Sequence, residues 1–173
     1  RPETCLIPLL KELISRKLNI GFHVPNGLHI RWITPEIAAL MKQAGFITLR
    51  FGYESGGERY RSHISSKANR REASDAIGTA VACGFARKDI GAYVMGGMLN
   101  QDPVEMIEEM RFINSLGVLV KPVLYSPVPG TVMFQSYAER FPALESDPYL
   151  HNDHYFTAHL AGWGVETIAH IRT

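Results

Sequence analysis

The 173 residues suit one domain, and 46% hydrophobic against 20% charged residues is the composition of a globular fold, not of a disordered, collagenous or disulfide-stapled chain. Eighteen basic residues against 17 acidic ones leave a formal charge of +1, which gives no electrostatic case for nucleic acid or an anionic membrane surface. The two cysteines, Cys5 and Cys83, cannot by themselves build a metal centre, and no apolar run reaches membrane-spanning length or forms a secretory leader, so a cytoplasmic, reducing compartment is expected.

In chain order, Leu6, Leu9, Leu10, Leu13 and Ile14 recur at helical spacing within Pro2 to Leu18, which predicts an amphipathic helix with Cys5 on its buried side. Asn19 to Val24 follows as a short strand that ends in the breakers Pro25-Asn26-Gly27. Thr34-Pro35-Glu36 supplies a cap, a first-turn proline and an acidic start, so a helix runs from there to Gly45. Phe46 to Tyr53 is rich in β-formers and reads as a buried strand. Glu54 to Asn69 turns polar and reads as a long functional loop, after which a helix spans Arg70 to Cys83 and stops at Gly84. Asp89 to Met95 is the next strand, Asp102-Pro103 opens a helix that reaches Gly117, and Val118 to Tyr125 is the last strand. A helix from about Thr131 and an irregular tail complete the chain.

Helices alternating with strands predict a parallel sheet, in a barrel or a doubly wound arrangement. Both place their sites at the carboxyl ends of the strands. Here those ends carry His23, Asn26, Glu54, Ser55, Asn100, Gln101, Tyr125 and Ser126, a polar rim at four successive positions.

Four stretches in order, Phe22-His23-Val24-Pro25-Asn26-Gly27-Leu28-His29, Leu49-Arg50-Phe51-Gly52-Tyr53-Glu54-Ser55, Tyr93-Val94-Met95-Gly96-Gly97-Met98 and Tyr125-Ser126-Pro127-Val128-Pro129-Gly130-Thr131, resemble the radical S-adenosylmethionine Fe–S oxidoreductases, in particular those that carry a cobalamin-binding domain before the radical domain. The resemblance implies an α/β fold: an incomplete parallel (β/α) barrel holding the later four strands of a TIM-like (β/α)6 partial barrel over residues 1–145, with residues 146–173 as an irregular tail carrying a short helix. It also implies a longer parent that cleaves S-adenosylmethionine at a [4Fe-4S] cluster to give a 5′-deoxyadenosyl radical, cofactors doing the hard chemistry while the protein orients them. His23, Asn26, Glu54, Ser55 and Lys67 would then bind the ribose and methionyl groups, with Tyr93, Gly96, Gly97, Ser126 and Pro127 lying against the adenine.

Two departures shape that expectation. The family's CxxxCxxC segment is absent, as is the glycine-rich motif that ends its second strand, so the chain is expected to be a later piece of a parent protein, catalytically silent and free of cofactor on its own. Where relatives carry a Gly-Leu-Pro-Gly turn, this chain has Gly96-Gly97-Met98-Leu99. Loss of a neighbouring strand would also leave Asn19 to Val24 as a free edge, to be covered by the first helix or closed by self-association.

Plainer readings stand beside these. Glu54 and Ser55 could cap a loop, Lys67 could be a solvated side chain, and His23 a hydrogen-bonded rim residue. His151, His154 and His159 offer an alternative, a metal-dependent hydrolase or lyase, and a non-catalytic binding domain is a third. Met106 and Met110 read as core, and Arg70, Arg71, Arg59 and Arg61 as solvated loop charges. The substrate has no signature in the sequence.

Overall fold

A computed structural model of the chain describes residues 2–53, 68–152 and 158–172. The elements follow in order as α1 (Leu6–Ser15), β1 (Phe22–His23), β2 (Leu28–His29), α2 (Pro35–Gln43), β3 (Phe46–Gly52), α3 (Arg70–Ala82), β4 (Ile90–Gly96), α4 (Pro103–Ser115), β5 (Leu119–Leu124), α5 (Val132–Arg140), α6 (Ala143–Ser146) and α7 (Val165–Arg172).

Helix starts follow the predicted chemistry. Thr34 caps α2 by accepting from the Ile37 amide, Asp102 accepts from the Val104 amide at the head of α4, and Thr131 does the same for Phe134 in α5. Asn69 and Glu72 form a reciprocal capping box on α3, which fixes that helix start without help from packing. Helix α1 is shorter than its periodicity suggests, and Cys5 lies exposed just before it, not on a buried face.

All strand pairings are parallel, in the order β1-β3-β4-β5, with β2 also paired to β3. The first predicted strand is thus two short pieces on one edge of β3: Phe22 lies opposite Phe46, and Leu28 and His29 opposite Phe51 and Gly52. The intervening Pro25 cannot donate to the ladder, and Gly27 must be glycine because a Cβ there would come within 2.7 Å of the Gly52 nitrogen. At the other end, Tyr125 donates its amide to the Gly96 carbonyl, so the missing N–H of Pro122 faces away from β4, as a terminal strand permits. Among the described residues no pairing joins β5 to β1 or β2.

Burial separates the two faces of the sheet. Leu49, Phe51 and Tyr53 of the third strand and its end, with Ile90, Ala92 and Val94 of β4, are fully buried and share one core cluster with Ile37 and Met41 of α2, Ala73, Ala76, Ile77 and Ala80 of α3, and Met106 and Ile113 of α4. Trp163, Ile168 and Ile171 join the same cluster from the C-terminal residues. The opposite face, on which Arg50, Tyr93 and Lys121 lie, is half-buried or exposed. A doubly wound sheet covers both faces with helices. One-sided cover is the barrel-like arrangement, here as a parallel sheet whose closure is not formed by the described strands.

Candidate functional site at the open face of the sheet

The register assembles the open face. His29, Gly52, Tyr93 and Lys121 are successive partners across four strands, so they form one row, and Arg50, Gly91 and Leu119 form the row below. Gly52 has no side chain to fill the middle of the upper row. Tyr93 lies beside this gap, and its hydroxyl donates to the Pro25 carbonyl at 2.6 Å, tying β4 to the break between β1 and β2. In the lower row Gly91 makes room for Arg50, whose guanidinium donates to the Leu49 and Asp89 carbonyls at 2.8 and 2.9 Å. Arg50 thus closes the amino-terminal end of the face.

The two histidines of the first strand pair stand at different levels. His23 is exposed and its Nδ1 lies 3.0 Å from the Thr48 hydroxyl, well below the carboxyl rim. His29, which sequence reasoning passed over as a site residue, sits at the rim beside Gly52 and stacks on Trp32 with ring centroids 5.3 Å apart. Its Nδ1 is buried and has no hydrogen-bond partner among the described residues. A buried polar atom left unpaired costs roughly 1–3 kcal/mol, so a water or a ligand at this position would be stabilising. A break after Val24 is visible in the sequence as Pro-Asn-Gly, but the resumption of pairing at Leu28 is not.

Of the other predicted residues, Asn26 is exposed in the break beside the Tyr93 contact, which brings Asn26, Tyr93 and His29 to one corner of the rim. Gly96 and Gly97 have packing roles: a Cβ on Gly96 would lie 2.1 Å from Met106 Sδ and 2.7 Å from the Trp163 ring, and Gly97 takes a positive φ of 77°. Asn100 is also left-handed, at φ 60°, so Gly97 and Asn100 stand three apart as the two glycines of a Gly-Leu-Pro-Gly turn do. The turn is therefore Gly97-Met98-Leu99-Asn100, one residue later than the sequence comparison placed it, with asparagine tolerating the left-handed conformation. Tyr137 Oη to the Gly97 carbonyl, Arg140 to Asn100 Oδ1 and Trp163 Nε1 to the Gln101 carbonyl hold this loop from behind. Pro127 is buried and Ser126 half-buried beyond β5, next to Tyr125, which stacks on Tyr137 and whose hydroxyl is pushed to a higher pKa by burial.

Glu54, Ser55 and Lys67 lie outside the described residues, as do Arg59, Arg61 and His154. The residues that bracket Glu54 to Lys67 are well fixed. Tyr53 donates to Glu109 Oε2 at 2.5 Å, and Arg70, opening α3, places its guanidinium 3.3 Å from both oxygens of the same carboxylate while lying over the Phe112 ring. Glu109 thus fastens the end of β3 to the start of α3, and its hydrogen bond holds the Arg70 guanidinium above its usual pKa. Arg70 is a pinned residue, unlike the solvated charge its sequence context suggests. Nearby, Glu72 accepts from the Asn69 amide and pairs with Arg31 at 2.8 Å, and these two contacts, the backbone one first, lower its pKa.

Residues for the implied cofactors were tested against this geometry. Cys5 is exposed near the amino terminus, Cys83 ends α3 with its Sγ 3.6 Å from the Pro35 carbonyl, and no group of three or more His, Cys, Asp or Glu side chains converges among the described residues. Two cysteines cannot supply the three thiolates of a four-iron cluster, so these residues do not fit one. Of the tail histidines, His151 Nε2 contacts the Leu144 carbonyl and its ring packs edge-on to Phe134, His159 is exposed, and His154 lies outside the described residues. At one rim the structure brings together an imidazole nitrogen that no described residue pairs, a tyrosine ring and a side-chain-free gap.

No family model matches the sequence, and no curated protein is similar to it. Among solved structures, the fold is similar to coproporphyrinogen III oxidase from Escherichia coli, described as a radical SAM enzyme, with a TM-score of 0.59 at 14% identity over 76% of this chain. The match covers 30% of the enzyme's chain, so these residues span under a third of its length. What the likeness establishes is the fold: a mixed α/β chain with a parallel sheet resembling the partial barrel of a radical SAM enzyme. No helix among the described residues is long and apolar enough to cross a membrane.

Proposed function

We propose that these residues form part of a cytoplasmic radical S-adenosylmethionine enzyme and supply its nucleoside cradle. The observation that carries the reading is one-sided burial. The helix face of the sheet is packed, with Met106 and Trp163 filling the space at Gly96, whereas the opposite face ends in a rim with a buried His29 Nδ1 that no described residue pairs, Tyr93 beside Gly52, and Asn26. His29 and Asn26 would hydrogen-bond ribose or base edges, and the Tyr93 ring and the half-buried Ser126 to Pro127 turn would flank the adenine plane, with Gly97 setting the loop beside it. Reductive cleavage of S-adenosylmethionine at a four-iron cluster supplies a 5′-deoxyadenosyl radical in such enzymes. The thiolates for that cluster, and any cobalamin domain, would come from sequence other than these 173 residues. The unpaired edge of β1 and β2, interrupted at Pro25, is where a further strand of the parent or a second copy would add.

Titration of the ¹⁵N-labelled chain with 5′-deoxyadenosine tests the reading. Saturable amide shifts confined to Asn26 to His29, Tyr93 to Gln101 and Ser126 are expected, weakened by His29→Ala. Shifts absent at saturating nucleoside, or limited to helix surfaces, would contradict it. Anaerobic incubation with iron and sulfide is expected to leave the chain without a stoichiometric four-iron cluster.

A further inference from the structure

The five strands carry four basic or imidazole side chains, His23, His29, Arg50 and Lys121, and no acidic residue. All 17 acidic residues of a nearly neutral chain therefore lie elsewhere, and the cationic character of the strands is local. Arg50 spends its guanidinium on two backbone carbonyls. Lys121 is different: it is exposed on the open face, in the row of Gly52 and Tyr93, and among the described residues it has no hydrogen-bond or ion-pair partner. Its flanking positions on the same face are Leu119 and Val123, and Met95 is the partner of Val123 on β4.

We propose that the open face binds an organic carboxylate, with the Lys121 ammonium pairing the carboxylate and Tyr93, Met95 and Val123 taking the apolar part. The assignment rests on reading this face as the reactive side of the sheet, and it names the substrate class of that side. An organic acid fits better than inorganic phosphate. Phosphate sites are built from clustered backbone N–H groups or several cations, whereas here β3 and β4 are paired on both sides and, among the described residues, the Lys121 ammonium stands on the face between Leu119 and Val123. A lysine can also serve as a guard against edge-to-edge pairing. In β5 that guard is already provided by Pro122, whose nitrogen faces the free edge, while Lys121 lies on the face.

The full ¹⁵N-labelled chain is titrated with hexanoate, with hexanol and inorganic phosphate as comparison probes. Hexanoate is expected to give saturable shifts at Gly91 to Met95 and Lys121, to bind more tightly than either comparison probe, and to weaken as salt rises. Lys121→Met should weaken hexanoate roughly tenfold, the loss of one charge-assisted contact, Lys121→Arg should stay within about twofold of the parent chain, and Lys88→Met, at an exposed turn, should change nothing. Lys121→Gln replaces the methionine variant if that one fails to fold. Equal weakening by Lys88→Met, or unchanged binding in Lys121→Met, would overturn the proposal, and phosphate binding at Lys121 as tightly as hexanoate would do so as well. If hexanoate binds at Lys121 while 5′-deoxyadenosine binds nowhere, the carboxylate site stands and the nucleoside reading falls. The reverse result removes the carboxylate site alone.

Discussion

The two faces of one sheet are built to different rules. Toward the helices, β3 and β4 present Leu49, Phe51, Ile90, Ala92 and Val94 with no solvent exposure, and even the absence of a side chain at Gly96 is used by Met106 and Trp163. Toward the open side, the same strands present Thr48, Arg50, Tyr93 and Met95, which are only half-buried, and β5 adds Leu119 and Lys121, both exposed. Dense packing fixes a fold. Incompletely covered side chains with unspent hydrogen-bonding capacity, such as His29 and Lys121, are what a ligand can use. The contrast also explains why the sheet can end in two dissimilar edges: stability comes from one side, so the open side need not close.

If this division is right, substitutions on the two faces separate by size. Leu49→Ala should cost about 3 kcal/mol through cavity formation, read from urea unfolding, and a cost below about 1 kcal/mol would mean the helix face is not the stabilising one. Gly96→Ala should cost about 2 kcal/mol, because its new methyl must displace Met106 and the Trp163 ring. Tyr93→Phe removes one hydroxyl donor to a solvent-reachable carbonyl and should cost at most about 1 kcal/mol, while loosening the Pro25 to Gly27 segment measurably in amide exchange. Lys121→Met should change stability by no more than about 0.5 kcal/mol in either direction, since the side chain is exposed and no described residue pairs with the ammonium.

The smallest effect concerns pH. Glu72 has its carboxyl pKa lowered by the Asn69 amide and Arg31, so its contribution to the start of α3 is present above the ordinary carboxylate range and is lost as pH falls through the lowered value. Unfolding followed from pH 6 downward should show a loss of stability in acid that Glu72→Gln flattens. Because the group is partly exposed, the difference should be modest and should shrink in high salt.

Much of this architecture is legible in the residues. Thr34-Pro35 and Asp102-Pro103 mark helix starts by side-chain chemistry that acts within one turn, and both cap as expected; the caps made by Asn69 with Glu72 and by Thr131 stand at helix starts expected from the pattern alone. The strands Phe46–Gly52, Ile90–Gly96 and Leu119–Leu124 fall within one residue of their expected starts because β-formers are bounded there by glycine or turn residues. What the local pattern could not reveal depends on register. The resumption of pairing at Leu28, the common row of His29, Tyr93 and Lys121, and the sharing of Glu109 by Tyr53 and Arg70 all join residues tens of positions apart. Arg70 looks like any loop cation until its partner on α4 is placed beside it. Cys5 is exposed because it precedes the first helical residue, at φ −125° and ψ −55°, so helical spacing does not set the side it faces. Asn26, Tyr93 and Gly97 were named from the sequence as site residues, whereas the level of the two histidines depends on register: His23 lies opposite Thr48 and His29 opposite Gly52, which the two-piece strand sets.

The central claim is that the open face, and not the helix-covered one, receives the ligand. Amide chemical-shift mapping of the labelled chain with 5′-deoxyadenosine tests it most directly. The account predicts saturable shifts clustered at Asn26 to His29 and Tyr93 to Gln101, reduced by His29→Ala with the fold intact. Shifts that instead cluster on the outward faces of α2 to α4, or that are unchanged in His29→Ala, would contradict it.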